Sequence, residues 1–346
     1  MSQMVHPRHG LHDPTTVTPA RTAGSIRRTL STDMVRPGGP EGVLHLSGRA
    51  RDLYTAPGVG RPRVVADATM AAVVDYPAGQ TLVGLIAGDA TAAQSLIGAS
   101  AGSGFRGRMK EAYAAEAQHC TPLHLLLDDI PVCVLISGHA IAVAAADAGT
   151  PEEDARLSRH VPVDVLSGRA NQCAGFADSA TIMLEVLRRG RAPVVTGPVA
   201  PRLEGDDPWG WHEMPDLAPG AMRRRRRLDV TPAARADGSV VVELDAMFRD
   251  SYLRADGTET IIHEYELAAV LNPDSLQILS LRCTPRVLPW VECPSAAASG
   301  ERLVGQTLHD LRALVRADFY GTTTCTHLND ALRSLEDVTA LAALVA

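Results

Sequence analysis

The chain has 346 residues, of which 45% are hydrophobic and 21% are charged. This composition is typical of a soluble globular protein long enough for two domains, and it excludes an intrinsically disordered chain. The formal net charge of -7 at pH 7 gives no overall basic field, so we expect no nucleic-acid partner.

The sequence predicts neither a membrane protein nor a secreted one. No stretch approaches the roughly 20 consecutive apolar residues of a membrane-spanning helix, so we expect no membrane association. The N-terminus lacks the apolar core of a signal peptide. The six cysteines are irregularly spaced, which argues against a disulfide framework. A cytoplasmic location is therefore predicted.

The chain contains two related copies that share the spacing of several motifs. Each copy begins with a glycine, two adjacent arginines and an aspartate, continues into an apolar alternation that ends in Arg-Asp, and closes on Cys-Thr. The aligned segments are 24–34 with 220–230, 44–52 with 242–250, 64–67 with 261–264, and 120–123 with 325–328. The second copy alone carries a set of metal-binding side chains: His263, Cys293 and His327 stand where the first copy has Ala66, roughly Gly98, and Pro122.

We predict an α+β fold built by internal duplication, in effect a pseudo-dimer of two pseudo-symmetric halves. Each half is expected to form a small antiparallel sheet followed by helices, because strand signals precede helix signals in both copies. An internal duplication usually replaces a homodimer interface. The predicted segments are a flexible tail at 1–23, a degenerate first repeat at 24–130, a connector at 131–219 with one helix and a Pro-rich loop, and a second repeat at 220–346.

The first repeat has two strand signals and one helix signal. Alternating apolar and polar residues predict strands at 42–53 and 63–74. A helix is predicted at 104–117, and the apolar run at 123–127 fits either a helix or a strand. Residues 1–20 are polar, contain prolines and lack periodicity, so we expect them to be loose.

The connector is predicted to be mostly irregular. A helix is expected at 176–189, and the prolines between residues 193 and 208 exclude regular structure after it. Trp209 and Trp211 lie in this irregular stretch. Such a pair can clamp two domains together or form a platform for a ligand, and the sequence favours the clamp.

Five adjacent arginines, residues 223–227, lie at the start of the second repeat. Such a run can hold a phosphate, a coenzyme A tail or RNA. It can also be a solvated strand entrance balanced by nearby acids. The confinement of the charge to one short segment favours this second interpretation.

The second repeat contains the clearest hairpin of the chain. Alternating segments at 239–253 and 260–271 flank Ala-Asp-Gly at 255–257, and the glycine accepts the positive φ of a tight turn. The elements predicted after the hairpin are a strand at 276–281 and helices at about 299–316 and 326–344, the last with Thr326 or Asn329 as its cap.

Four side chains of the second repeat are candidate metal ligands: His263, Cys293, Cys325 and His327. His263 lies on the return strand of the hairpin, whereas each cysteine precedes a predicted helix. A thiolate at a helix N-terminus is favoured by the helix dipole and by free N–H groups, which lower the thiol pKa. Because thiolate and imidazole ligands suit zinc and iron, the predicted cofactor is Zn²⁺ or Fe.

These residues have other interpretations. Cys293 and Cys325 can be small buried residues and His327 a helix cap, since no Cys-x-x-Cys motif is present. Cys325 can also be a thiolate nucleophile with His327 as its base, although a spacing of two residues makes their contact awkward. Asp330 is a candidate for proton transfer or for support of the site.

Two segments resemble iron–sulfur cluster scaffold proteins of the IscU/NifU type. Residues 293–300, Cys-Pro-Ser-Ala-Ala-Ala-Ser-Gly, are similar to the scaffold's Cys-Gly-Ser-Ala-x-Ala-Ser-Ser helix start, and residues 325–330 are similar to its Cys-Ser-x-Leu-x-Glu segment. The scaffold's first Cys-Gly-Asp element is absent, and His263 with Glu264 stands nearest to it. Thr324 replaces the histidine before the last cysteine. A mononuclear metal site is therefore the simpler expectation.

The second repeat as a whole resembles an uncharacterised bacterial family, domain of unknown function 2889. The first repeat resembles a diverged partner of it. This resemblance implies no established activity. It rests on Arg223-Arg224, Arg249-Asp250, His263-Glu264, Cys293-Pro294 and the closing Cys325-Thr326-His327-Leu328.

Other residues are predicted to have structural roles. Arg-Asp at 51–52 and at 249–250 occurs in both repeats, including the one without ligands, so we expect it to hold the sheet or the interface between the halves. Glu264 is expected on the strand face opposite His263. Cys120 is expected to be buried packing.

The predicted function is that of a metal-dependent enzyme acting on a small organic or acyl substrate. The step would be hydrolysis or carbon–carbon bond cleavage, with Cys325, His327 and Asp330 as catalytic candidates and the substrate entering from the connector side. The alternative is a metal or iron–sulfur carrier that serves a partner protein without catalysis. The expected partner of the enzyme is a small-molecule substrate.

Overall fold

Antiparallel strands form one continuous eight-stranded sheet in the computed structural model of the chain. The structure describes residues 10–58, 61–76, 78–147, 150, 168–189 and 193–345. The strands are β1 Ser25–Val35, β2 Leu44–Thr55, β3 Arg63–Asp75, β4 Thr81–Ile86, β5 Met222–Ala234, β6 Val240–Leu253, β7 Glu259–Leu271 and β8 Ile278–Val287. Their order across the sheet is β4-β3-β2-β1-β5-β6-β7-β8. The architecture is therefore mixed α and β.

β1 and β5 pair at the centre of the sheet and join the two predicted repeats. Ile26 lies opposite Val230, and Met34 lies opposite Met222, in antiparallel register. The small antiparallel sheets predicted for the two halves are therefore joined into one sheet, to which each half contributes four adjacent strands. Because β1 is buried along almost its whole length, an unpaired edge would leave its backbone N–H and C=O groups without hydrogen-bond partners. Pairing with β5 supplies these partners. The duplication itself remains a prediction.

Helices cover one face of the sheet, which we call the helix face. α4 packs on β1, β2 and β3, and the last helix contacts β1 and β5. The helices are α1 Ala90–Ser95, α2 Phe105–Ala112, α3 Ala114–Gln118, α4 Pro122–Ile136, α5 Gly138–Ala146, α6 Thr181–Arg189, α7 Leu311–Asp318, α8 Thr326–Ser334 and α9 Val338–Ala342. Short 3-10 helices span Ala174–Phe176, Cys293–Leu303 and Leu335–Asp337.

Irregular chain covers the opposite face, which we call the connector face. Residues 193–219 form no helix or strand apart from an isolated bridge, as their prolines predict. Trp211 is buried and packs with Leu203 and Met247, so it fastens the connector to β6. This contact fits the clamp interpretation of the tryptophan pair for Trp211.

The N-terminal segment also lies on the connector face. The Thr15 backbone N–H donates to Glu264 at 2.5 Å, and His12 forms a β-bridge with Val287, the last residue of β8. The prediction of a loose tail is wrong for residues 10–20, because these contacts fix the segment against the sheet. Residues 1–9 of that prediction lie outside the described residues.

Most predicted strands are confirmed, whereas the helix ends differ. The hairpin forms as β6 and β7 around a turn in which Gly257 has a φ of +83°. The predicted helix at 299–316 is wrong, because Gly305 adopts the left-handed region at φ +89° and separates a 3-10 helix from α7. The helix predicted at 104–117 is broken at Tyr113 into α2 and α3, and the helix predicted at 326–344 is broken by the 3-10 helix Leu335–Asp337 into α8 and α9. The run at 123–127, which fitted either a helix or a strand, belongs to α4, and the predicted connector begins inside this helix. α6 starts at Thr181, and Cys325 rather than Thr326 is the N-cap of α8.

α4 and α5 form a long apolar stretch, Pro122–Ala146, with a mean hydropathy of 1.8. By length and composition this stretch could cross a membrane, so the prediction that no such stretch exists is wrong. α4 nevertheless packs against the sheet, and its Asp128 and Asp129 are buried in ion pairs with Arg333 and Arg226. These are the contacts of a core helix, and the cytoplasmic location remains a prediction.

The five arginines of β5 are buried rather than solvated, with exposed fractions of 7% or less. Successive side chains of a strand point to opposite faces, so the run supplies both sides of the sheet. Each guanidinium has a carboxylate partner: Arg223 has Asp33, Arg224 has Asp250 and Asp330, Arg225 has Glu204, Arg226 has Asp129 and Asp330, and Arg227 has Asp229 and Asp245. The predicted solvated entrance is wrong, but the predicted balance by acids is confirmed.

Candidate metal centre

Asp250, His263 and His327 meet on the helix face. Each offers one ligand atom, and the three atoms lie within 4.8 Å of one another. Asp250 on β6 lies opposite His263 on β7, and a β-bulge follows immediately after Asp250. His327 is the second residue of α8, and its ring stacks on that of His263. The structure therefore brings together two of the four predicted ligands and adds a carboxylate.

The geometry leaves two imidazole nitrogens without partners. The rings of His263 and His327 stack with centroids 3.7 Å apart and planes 21° apart. His263 Nδ1 lies 3.3 Å from Asp250 Oδ2, but not in a hydrogen-bonding geometry. His263 Nδ1 and His327 Nε2 are buried, and neither has a hydrogen-bond partner among the described residues. Each such atom costs about 1–3 kcal/mol. A cation between these nitrogens and the carboxylate would offset that cost.

The protonation states of the cluster suit a cation. Burial raises the pKa of Asp250, but Arg224 and His263 lower it more strongly, to about 2. The pKa of His327 falls well below 6.5, first because of burial and then because of His263. At neutral pH Asp250 is therefore an ionised carboxylate and His327 a neutral imidazole. These are the forms that bind metals.

Arg224 links the cluster to Asp330. Its Nη1 donates to both oxygens of Asp250, at 2.6 and 2.9 Å, and its Nη2 donates to Asp330 at 2.8 Å. Asp330 also accepts from Arg106 and Arg226. Burial raises the pKa of Asp330, but the arginines outweigh it, so that pKa is lowered. Asp330 has no proton to donate at neutral pH, which does not fit a general acid, and its contacts fit support of Arg224.

Cys293 and Cys325 lie outside this cluster. Among the described residues, no cysteine Sγ lies within 4.8 Å of the ligand atoms of all three residues, Asp250, His263 and His327. Burial raises the pKa of Cys325 to about 11, although backbone N–H groups at the start of α8 lower it. Burial also raises the pKa of Cys293 well above its usual range. The predicted lowering of the thiol pKa is wrong, because desolvation outweighs the helix dipole. A thiolate nucleophile at Cys325 is not supported.

A third buried cysteine, Cys173, lies near these two thiols. After burial, the charge of Cys173 is a further cause of the raised pKa of both Cys293 and Cys325. The 3-10 helix that follows Cys173 touches Cys293, because a Cβ added to Gly175 would lie 2.7 Å from the Cys293 Sγ. No role was predicted for Cys173, since more than a hundred residues separate it from the other two cysteines in the sequence.

Asp250 is the member of the cluster for which the sequence predicts only a structural role. That structural role is present: Asp250 accepts from Arg224 as Asp52 accepts from Arg28. Both aspartates precede a β-bulge, and Ala66 lies opposite Asp52 where a histidine lies opposite Asp250. The first half therefore has the carboxylate and its arginine but not the imidazole.

Two further side chains define the surroundings of the cluster. Glu264 lies on the connector face, where it accepts from Arg249, so its predicted separation from His263 is confirmed. His139 of α5 lies on the helix face, and burial followed by the charge of His263 lowers the pKa of His139 to about 3. Its ring meets Tyr252 edge-on, with centroids 5.5 Å apart. No motif of the sequence marks His139 as part of a site.

All three cluster residues belong to one continuous region of the chain. Residues 222–341 match the family described as "Protein of unknown function (DUF2889)". No curated protein and no solved structure matches the chain. The DUF2889 region thus contains Asp250, His263 and His327 together with Cys293 and Cys325, and the resemblance to IscU/NifU scaffolds remains a prediction.

Proposed function

We propose that the protein is a metal-dependent enzyme in which Asp250, His263 and His327 hold Zn²⁺ or Fe²⁺. The proposed reaction is hydrolysis or carbon–carbon bond cleavage of a small organic or acyl substrate. One observation carries the proposal: two buried imidazole nitrogens, without partners among the described residues, lie beside a buried and ionised carboxylate.

Two imidazoles and one carboxylate are a donor set found at catalytic zinc and non-haem iron sites. Three protein ligands leave a coordination position open, where a bound metal polarises a carbonyl group or activates water. Four protein ligands would give a closed, structural site. The proposed set keeps His263 and His327 and replaces the predicted cysteine ligands with Asp250.

Arg224 is proposed to fix the orientation of Asp250. A carboxylate offers about four lone-pair positions, so Asp250 can accept from Arg224 and still face a cation. The positive charge of Arg224 is offset by Asp330 at 2.8 Å and by Asp129 at 3.4 Å. The arginine can therefore position the ligand with little repulsion of the ion.

Metal analysis by inductively coupled plasma mass spectrometry tests this proposal. We expect about one equivalent of zinc or iron in the wild type and a loss of most of it in His263→Ala and in His327→Ala. The matched control is His124→Ala, because His124 is also buried and its Nδ1 also lacks a partner among the described residues. The control should retain the metal.

A second pair of variants separates ligation from folding. Asp52→Asn and Asp250→Asn each remove an ion pair with an arginine of the neighbouring strand, but only Asp250 belongs to the cluster. We expect the metal to be lost in Asp250→Asn alone. Metal that persists without His263 or His327, but is lost from the Cys293→Ser/Cys325→Ser double variant, would overturn the ligand set. A metal-free wild type would overturn the proposal.

The reaction class is tested with the metal-loaded protein. Turnover of small esters and of β-keto acids should be compared in the wild type and in His327→Ala. Ester hydrolysis that depends on His327 supports the hydrolytic reaction, whereas turnover of β-keto acids supports carbon–carbon cleavage. Activity that is equal in both proteins would contradict a role of this site in either reaction.

A carrier function is the second candidate, and the three neighbouring thiols favour it. Cys173, Cys293 and Cys325 are all buried, and each pair interacts electrostatically. A bound iron–sulfur cluster would give visible absorbance and acid-labile sulfide after anaerobic purification. A colourless protein without sulfide excludes the cluster, and loss of the colour in Cys173→Ser would assign it to these thiols.

A further inference from the structure

A cleft of ≈ 1050 Å³ opens on the connector face. Its walls are β5 and the connector segment 200–217. Arg223 and Arg225 line it from the sheet, and Trp209 lines it from the connector. The arginine run and the tryptophan pair, both conspicuous in the sequence, therefore meet in one cavity.

The arginines of the cleft have unused hydrogen-bonding capacity. Arg51, Arg61 and Arg202 line it, and none has a carboxylate within 4.0 Å in the part of the chain that the structure describes. Arg51 Nη2 donates to the Trp209 carbonyl at 2.7 Å. The Nε groups of Arg51 and Arg225 are buried and have no acceptor among the described residues. A guanidinium has five N–H donors, so an anionic ligand would find several of them free.

Carboxylates also line the cleft, but the best-placed ones already have partners. Glu204 accepts from Arg225 at 2.8 Å, and Asp207 accepts from Arg21 through both oxygens. The other lining acids, of which the first two are exposed to solvent, are Glu213, Asp216 and Glu259. These acids therefore leave Arg51, Arg61 and Arg202 without direct neutralisation.

The lowered pKa values of two groups at the wall of the cleft indicate a positive electrostatic potential there. Burial, followed by four surrounding arginines, lowers the pKa of His212 to about 3. Burial, Arg21 and Arg27 likewise lower the pKa of Arg51. Like charges that depress one another's pKa values are stabilised by an added anion.

The cleft is separate from the metal centre. Arg223 and Arg225 line it, whereas Arg224 between them points to the other face and binds Asp250. The sheet itself therefore stands between the cleft and the cluster. A substrate held on the connector side would not reach Asp250, His263 and His327, so what the cleft binds is independent of the proposed reaction.

We propose that the cleft binds a small ligand that carries a phosphate or carboxylate group and a flat ring. The anionic group would accept from the lining arginines that have no carboxylate partner among the described residues, Arg51, Arg61 and Arg202, because guanidinium groups bind such anions through paired N–H groups. The ring would lie against Trp209, whose own ring already has the Arg61 guanidinium 5.5 Å from its centroid. The cavity volume lies just above the usual range for small-molecule sites, about 300–1,000 Å³.

Isothermal titration at constant ionic strength tests the inference with three probes: inorganic phosphate, phenyl phosphate and benzoate. Arg51→Gln should weaken the binding of phenyl phosphate at least about tenfold, because a charged hydrogen-bond donor is lost. Arg316→Gln removes the same charge from the exposed surface of α7 and should leave binding unchanged. Trp209→Leu should weaken phenyl phosphate but not inorganic phosphate.

The comparison of phenyl phosphate with benzoate identifies the preferred anionic group. Arg202→Gln is a second variant at an exposed lining residue, so its fold is not at risk if Arg51→Gln proves unstable. Absence of binding for all three probes would overturn the inference, as would equal binding by the wild type and both arginine variants. The metal content of Arg51→Gln should equal that of the wild type, which keeps this result distinct from the metal proposal.

Discussion

Stability in mild acid should depend on His212. The buried ring lies between two hydroxyl groups: Ser31 Oγ is 2.8 Å from Nε2, and Thr29 Oγ1 is 2.9 Å from Nδ1. Burial, followed by surrounding arginines, lowers the pKa of His212 from 6.5 to about 3. The folded protein therefore holds this imidazole neutral at pH values where an unfolded chain would protonate it.

The sign of the effect follows from the two pKa values. Between about pH 6.5 and pH 3 the unfolded state binds more protons at this position than the folded state, so the free energy of unfolding decreases as the pH falls. From about pH 7.0 to about pH 5.5 the linkage amounts to about 1.3 kcal/mol for this one residue. Other buried histidines add to the loss of stability at low pH. The contribution of His212 must therefore be measured as the difference between the wild type and a variant that lacks this histidine.

Urea unfolding of the wild type and of His212→Asn at both pH values provides that difference. Asparagine can still hydrogen-bond to Ser31 or Thr29 but does not titrate, so any constant loss of stability cancels. The wild type should lose about 1.3 kcal/mol more than His212→Asn between the two pH values. His45→Asn, at an exposed position of β2, controls for the loss of a histidine. Equal losses in the wild type and His212→Asn would refute the reasoning.

Two further substitutions probe packing and charge. Asp330→Asn should lower the free energy of unfolding by about 3–5 kcal/mol, because it removes the negative charge that three arginines of the buried network share. Asp318→Asn, at an exposed site of α7, should change the free energy of unfolding little. Similar urea midpoints for the two variants would contradict this prediction. Gly197→Ala should cost about 3 kcal/mol, because the added Cβ would lie 1.6 Å from the Ile261 carbonyl oxygen. Thermal melts should show a clear loss relative to Gly205→Ala, which adds a Cβ in open space, and equal melting temperatures would contradict the close approach.

The sequence predicted those parts of the fold and site that depend on local patterns. The alternation on either side of Ala-Asp-Gly was enough to place β6 and β7. His263 and His327 were singled out because the first repeat lacks them. Asp250 was not assigned to the site, because the same Arg-Asp pair occurs in the first repeat, which lacks the ligands. A register counted from the turn would pair Asp250 with Ile262. The β-bulge after Asp250 brings His263 opposite instead, and no residue type marks that bulge in the sequence.

The remaining differences arise from contacts between distant parts of the chain. Arg223 pairs with Asp33, which is 190 positions away in the sequence, and Arg226 pairs with Asp129, which is 97 positions away. The burial of the arginine run could therefore not be inferred from residues adjacent to it in the sequence. Helix-terminal placement of Cys325 suggested an acidic thiol. Its pKa of about 11 reflects desolvation by tertiary packing, which sequence position does not report.

The pairing of β1 with β5 has a consequence for any shorter chain cut at the boundary of the DUF2889 region. A fragment of residues 222–341 would carry β5 as an open edge, with Asp33 and Asp129 no longer present to neutralise Arg223 and Arg226. Such a fragment has to find another edge, and a second copy of itself offers one with the same antiparallel geometry. The full chain supplies that edge within one molecule.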